Sequence, residues 1–150
     1  MKYIILIVIM LSMTSFKKMD IGNGDRIIGK WVASKERNLV VRVFRSGAEF
    51  KATIVWFDDS DDKSQPMNIR CDTKNPDKSL RTRKLIGLEV LSGLIYNDKD
   101  KEWQNGHIYD PSTGKTYCAK VWLTGDGCLE VRGFWHFEFL GQTMCFIKTL

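Results

Sequence analysis

Between Lys115 and Phe139, apolar and polar residues alternate on both sides of Gly125-Asp126-Gly127, and only one pairing of the two arms keeps apolar opposite apolar. A two-residue turn would set Leu123, Val121 and Ala119 against Cys128, Glu130 and Arg132. A three-residue loop instead sets Leu123 against Leu129, Val121 against Val131 and Tyr117 against Trp135, with Lys120–Arg132 and Trp122–Glu130 on the other face. A slip of one residue would invert every side chain, so the pattern selects the second register. Gly127 then supplies the left-handed position that such a loop needs. A stretch with this period cannot serve as an amphipathic helix, and it sets the class for its neighbours.

The rest of the chain follows suit. Ile28–Ser34 and Val-rich Leu39–Arg45 read as strands. Ser46-Gly47-Ala48 is a turn, and Phe50–Phe57 returns with Phe50, Ala52, Ile54 and Trp56 on one face. Leu85–Tyr96 is a strand interrupted by Gly87 and Gly93, which mark a bulge or sharp bend. Gly106–Asp110 is a short strand, and Asp110-Pro111-Ser112-Thr113-Gly114 is a turn. Asp58–Ser79, with its Asp58-Asp59-Ser60-Asp61-Asp62 run and two prolines, reads as a long loop of the kind that often carries function. Eight or nine strands in series predict an all-β, antiparallel up-and-down β-barrel, with a β-sandwich as the alternative.

Met1–Phe16 has a charged start, an apolar run through Leu11 and a small-residue end, the pattern of a secretory signal peptide. The run is shorter than the roughly twenty apolar residues a membrane span requires. Residues 1–16 are therefore expected to be a leader and 17–150 a single barrel domain, exported to the periplasm or secreted. Export permits disulfides. Cys71, Cys118, Cys128 and Cys145 allow three full pairings, and spacing does not choose among them. The hairpin register does place Cys118 and Cys128 about 20 Å apart, at ~3.3 Å per residue, too far for a bridge.

The net charge of +5 comes from scattered basic residues, with Arg81, Arg83 and Lys84 as the tight cluster. That distribution does not describe a nucleic-acid binder. His107 and His136 lack metal-ligand spacing, no Cys-x-x-Cys occurs, and the acidic run does not match an EF-hand loop. No nucleophile elbow or cofactor-binding motif is present. The sequence thus assigns no catalytic residue, metal or cofactor.

Gly29-Lys30-Trp31 opens the first strand. Further on come Asp72-Thr73-Lys74-Asn75-Pro76-Asp77, Leu80-Arg81-Thr82-Arg83-Lys84-Leu85-Ile86-Gly87, Trp103-Gln104-Asn105-Gly106-His107-Ile108-Tyr109-Asp110-Pro111, Gly114-Lys115-Thr116-Tyr117 and Leu129-Glu130-Val131-Arg132-Gly133-Phe134. In that order, from about Gly29 to Lys148, the chain resembles a bacterial family of exported proteins known as domain of unknown function family 2147. The resemblance implies a small calycin- or lipocalin-like barrel with a cleaved leader. It also implies that Gly29 and Trp31 plug one barrel end, with Lys148 of the last strand over the indole.

Asn75, Arg81, Arg83, Tyr109 and Asp110 are the candidate ligand-binding residues. On an extended segment Arg81 and Arg83 face one way and could clamp an anionic group. Equally, they could tie the long loop to Asp72, Asp77 or Asp110. Three functions are open. The first is a non-catalytic module holding a small apolar or amphipathic ligand inside an aromatic-lined barrel (Trp31, Phe50, Trp56, Tyr117, Trp135, Phe137). The second is a cell-envelope interaction module without a cavity. The third is an enzyme, which would need Arg81, Arg83, Tyr109 and Asp110 to converge in one cleft.

Overall fold

A computed structural model describes residues 22–150, and the leader expected at residues 1–16 lies outside them. Eight strands follow one another: β1 (Gly29–Ala33), β2 (Leu39–Ser46), β3 (Glu49–Phe57), β4 (Glu89–Asn97), β5 (Glu102–Asp110), β6 (Lys115–Leu123), β7 (Cys128–Phe134) and β8 (Gln142–Thr149). Each pairs with the next, and β1 pairs with β8, so the sheet closes into an up-and-down barrel and the sandwich is excluded. No helix among the described residues is long and apolar enough to cross a membrane.

The β6–β7 hairpin has the register its pattern selects: Leu123↔Leu129, Trp122↔Glu130, Val121↔Val131 and Lys120↔Arg132. Thr124 N donates to Cys128 O at 2.9 Å, and Gly127 takes φ +85°. Trp135 lies beyond the end of β7, yet its ring still meets Tyr117 at 5.7 Å. Cys128 and Cys145 form a disulfide between β7 and β8, while Cys71 and Cys118 are free thiols.

Three departures from strict alternation reshape the expected interior. Val41 opposes Ile54 while Val40 opposes Trp56, so β3 carries a bulge there. The extra residue moves Trp56 off the face shared by Phe50, Ala52 and Ile54, and its ring is exposed. Gly93 at φ +69° accompanies a second irregularity, between β3 and β4. On β5, Asn105 at φ +62° sits within a third, so Trp103 and Gly106 both point inward, opposite Val121 and Ala119. Strand β5 therefore begins at Glu102, earlier than its alternation suggests. Strand β4 begins later: Leu85–Leu88 is a turn closed by Leu88 N on Leu85 O.

The core is built on Trp31, Phe50, Leu94, Trp103, Val121, Leu129 and Phe146. Of the six aromatics expected inside, Trp31 and Phe50 are buried and Tyr117 is half-buried. Trp56, Trp135 and Phe137 are exposed, because one follows a bulge and two follow the end of β7.

A 3-10 turn, Asn23–Ile27, closes the barrel end that carries the β2–β3, β4–β5 and β6–β7 turns. Gly24 fits there because it has no side chain: a Cβ would lie 2.9 Å from Tyr96 Cβ. The turn's carbonyls receive the two buried indoles, Trp31 Nε1 on Ile27 O at 2.8 Å and Trp103 Nε1 on Gly24 O at 3.1 Å. Three cations cover the rings below: Lys148 over Trp31 at 5.4 Å, Arg26 over Trp103 at 5.9 Å and Arg45 over Phe50 at 5.5 Å.

Candidate functional site

The opposite end of the barrel is where the fold leaves surface unfilled. It carries the β1–β2 loop, the long connection of residues 58–88, the β5–β6 turn and the β7–β8 connection. By register, Ile108, Tyr117, Val131 and Gly133 point inward here, yet all are only half-buried. Met144, opposite Val131 on the same face, is 51% exposed. A Cβ on Gly133 would lie 3.6 Å from Ile108 Cδ1 and 3.9 Å from Tyr117 Cβ, so these three residues share one apolar recess. Trp135 stands on its rim against Tyr117. On the β3–β4 side, Ile54, Leu88 and Leu91 are buried, so the recess lies under β5–β8.

The long connection is not a loose loop. Its first half folds around Arg70, whose Nη2 reaches Asp61 Oδ1 at 2.7 Å and the carbonyls of Asp59 and Asp62 at 3.0 and 3.1 Å. Its guanidinium also lies 5.6 Å from the Phe57 ring centre. The acidic run thus encloses an arginine.

The second half is organised by Asp72, whose side chain is fully buried. Asp72 Oδ1 accepts from the Tyr109 hydroxyl at 2.6 Å. Asp72 Oδ2 accepts from Asn75 Nδ2 and from Arg83 Nη2, each at 2.8 Å. Asn75 Nδ2 also donates to the Tyr109 oxygen at 3.1 Å, and Arg81 Nε donates to Asn75 O at 2.7 Å. Four candidate residues, Asn75, Arg81, Arg83 and Tyr109, are therefore brought together. The arginines do not alternate on an extended strand as expected: Arg81 follows the 3-10 turn Lys78–Leu80, and both wrap the same Asp72–Asn75 turn.

Asp110 stands apart. Its carboxylate takes Ser112 N, Ser112 Oγ and Thr113 Oγ1, which fixes the β5–β6 turn. Gly29, Trp31 and Lys148 meet at the closed end, where a Cβ on Gly29 would crowd Lys148 Cε at 3.1 Å.

The electrostatics match an inward-directed network. Burial alone would raise the Asp72 carboxyl, but the bonds from Tyr109, Arg83 and Asn75 outweigh it and hold it below its ordinary value. Burial, with the Asp72 carboxylate beside it, pushes Tyr109 up to about 12, so the phenol keeps its proton at neutral pH. Of the three acids the sequence offered to the arginines, Asp72 is the one that Arg83 meets; its meeting with Tyr109 is what the sequence did not show.

Two surface concavities lie away from the Asp72 network. One of about 320 Å³ lies beside the plug and includes Asn23, Arg45, Phe50 and Tyr96. The other, an open trough of about 540 Å³ on the outer wall, is lined by Trp122, Arg132, Glu138 and Phe139.

A family model described as an uncharacterized protein conserved in bacteria (DUF2147) matches residues 29–148. No curated protein matches the chain. Among solved structures, the chain is similar to a protein described as "Protein HP1028 from the human pathogen Helicobacter pylori belongs to the lipocalin family". The identity is 23%, the TM-score 0.69, and 83% of each chain is covered.

Proposed function

The chain belongs to the DUF2147 family of uncharacterized bacterial proteins, and we propose that its barrel is a non-catalytic module that takes a small apolar or amphipathic ligand at its open end. One observation carries this reading. Inward-facing Ile108, Tyr117, Val131 and Gly133 are only half-buried at one end, while the other end is plugged and covered by cations. Apolar surface left open inside a concave wall is the usual ground of a ligand site. In this reading the Asp72 network is scaffolding that holds the long connection against β5 and leaves the mouth clear. The lipocalin-like neighbour supports the fold on which the reading rests.

The test uses N-phenyl-1-naphthylamine, an uncharged apolar fluorophore. The purified protein is expected to bind it, and Gly133→Leu to weaken binding at least about tenfold by filling the recess. Position 133 has no positive φ and a Cβ there meets only ordinary contacts, and thermal unfolding of the variant confirms that it is folded before binding is compared. Equal binding by both proteins would eliminate the mouth as the site.

A second reading, an envelope interaction module, is favoured by the β7–β8 connection, where Trp135, Phe137, Phe139 and Leu140 are 56%, 58%, 76% and 71% exposed. Apolar runs that open on a surface usually have a partner.

We also propose that the protein is exported from the cytoplasm. The leader pattern of residues 1–16 supports export, and the Cys128–Cys145 disulfide suits an oxidising compartment. Intact-mass analysis of protein from the periplasm or medium is expected to show a chain shortened by about sixteen residues or slightly more. Recovery of the full-length chain from the cytoplasm alone would refute export.

A further inference from the structure

The outer-wall trough lies on the face of the sheet opposite the mouth's recess, and its chemistry is independent of it. Trp122 projects outward from β6, with Glu130 as its cross-strand partner, and Arg132 projects outward opposite Lys120. The β7–β8 connection folds back along this wall and forms the outer lip through the 3-10 turn Glu138–Leu140. Arg132 is held from two sides: its Nε donates to Glu138 O at 2.8 Å and its Nη1 to Thr143 Oγ1 at 2.7 Å. Its Nη2 donates to nothing among the described residues, and no carboxylate neutralises it. Glu138 Oε1 accepts from Lys120 Nζ at 3.2 Å, while Oε2 has no donor among the described residues. Lys120 in turn meets Glu102 at 2.8 Å.

The trough therefore presents one free donor edge and one free acceptor between the faces of Trp122 and Phe139. Its charges are mixed, Lys120 and Arg132 against Glu102, Glu138 and the neighbouring Glu130, so it presents no cationic surface to an anion. The aromatic surface also continues past the lip. Phe137 lies near Phe139, with ring centres 5.6 Å apart and planes tilted by 31°. A ligand suited to this track is uncharged and ring-shaped. It carries apolar C–H faces for the indole and phenyl rings, hydroxyls for Arg132 and Glu138, and repeats along its length. A saccharide chain has each of these properties, since its C–H faces complement the negative faces of aromatic rings.

We propose that the Trp122–Arg132–Glu138–Phe139 trough binds an uncharged saccharide chain, with Phe137 as a further platform. This accounts for two features the mouth leaves unexplained: the exposed aromatic run of the β7–β8 connection, and the outward Arg132 of the Leu129–Phe134 motif.

Cellotetraose and chitotetraose are the probes, titrated calorimetrically and by tryptophan fluorescence into the purified protein at physiological salt. At least one is expected to bind below about 10 mM, and Trp122→Ala, Arg132→Gln and Phe139→Ala each to weaken it about tenfold. Phe139 is 76% exposed, so Phe139→Ala leaves the fold intact and isolates the contact. Gly133→Leu, which blocks the mouth, is expected to leave saccharide affinity unchanged, so the two sites fail or succeed separately. The proposal is overturned if neither tetrasaccharide binds. Binding that survives Trp122→Ala together with Phe139→Ala overturns it too, as does preference for a sulfated tetrasaccharide or for phosphatidylcholine vesicles over both sugars.

Discussion

Replacing Trp103 by alanine is expected to cost about 4–5 kcal/mol and to lower Tm by roughly 15 °C. Trp103 has no exposed surface, meets Phe50 edge-on at 6.4 Å and packs on Tyr96 at 4.9 Å. Removing the indole opens a cavity that surrounding strands cannot close, because the ring of hydrogen-bonded neighbours fixes their separation. It also strips Gly24 O of its donor and Arg26 of its aromatic support. Release of the Asn23–Ile27 plug should accompany the loss, seen as faster amide exchange at Asp25 and Ile28, whose backbone bonds define the turn. Thermal unfolding and hydrogen exchange measure both. A Trp103→Ala protein that melted within a few degrees of the parent would show that this indole does not anchor the closed end.

Asp72→Ala is expected to cost about 3 kcal/mol, roughly 10 °C in Tm, by leaving Tyr109 and Asn75 with unpaired donors in a buried place. Arg83 contributes less to that loss, since its side chain is 41% exposed and water can replace the carboxylate. The effect should be local first: residues 71–88 should lose protection before the strands do.

The same network sets the pH limits. Asp72 has a lowered folded pKa, so its stabilisation is complete above the ordinary carboxylate value and fades as pH falls through the folded one. Tyr109 behaves in the opposite sense. Its folded pKa of about 12 lies above the unfolded value of 10.0, so stability falls as pH rises between the two. Tyr109→Phe should abolish that alkaline fall while retaining the neutral-pH fold. An unchanged alkaline limb in Tyr109→Phe would assign it to other groups.

The two predictions separate what the sequence discloses from what it hides. The β6–β7 register was legible because both arms alternate without a break and Gly127 fixes the loop. The same reasoning found the closed barrel, since short strands with turn signals leave few other ways to bury one face. It failed at Trp103 for a local reason. Asn105 adopts a positive φ inside β5, which sets three steps on that strand against two on β6 and destroys the visible period. Trp56 was misplaced by the equivalent insertion in β3. Bulges are conformational events that a residue pattern does not announce when the inserted residue is not glycine.

The site was half legible. The two arginines and Asn75 stood out, and an acidic partner for them was among the alternatives. Yet Tyr109 reaches Asp72 only because β5 passes beneath the long connection, and such a meeting is set by topology. The recess under β5–β8 was invisible for a related reason: alternation reports which way a side chain points, not whether anything fills the space ahead of it.

The pairing of β1 with β8 has a consequence for biogenesis. Trp31 finds Lys148 across almost the entire described chain, so every shorter emerging chain presents two unsatisfied ladders, one along β1 and one along its newest strand. Vectorial delivery from the N-terminus would hold the first of these edges open for longest. Docking of Gln142–Thr149 onto both neighbours removes the two edges in one step.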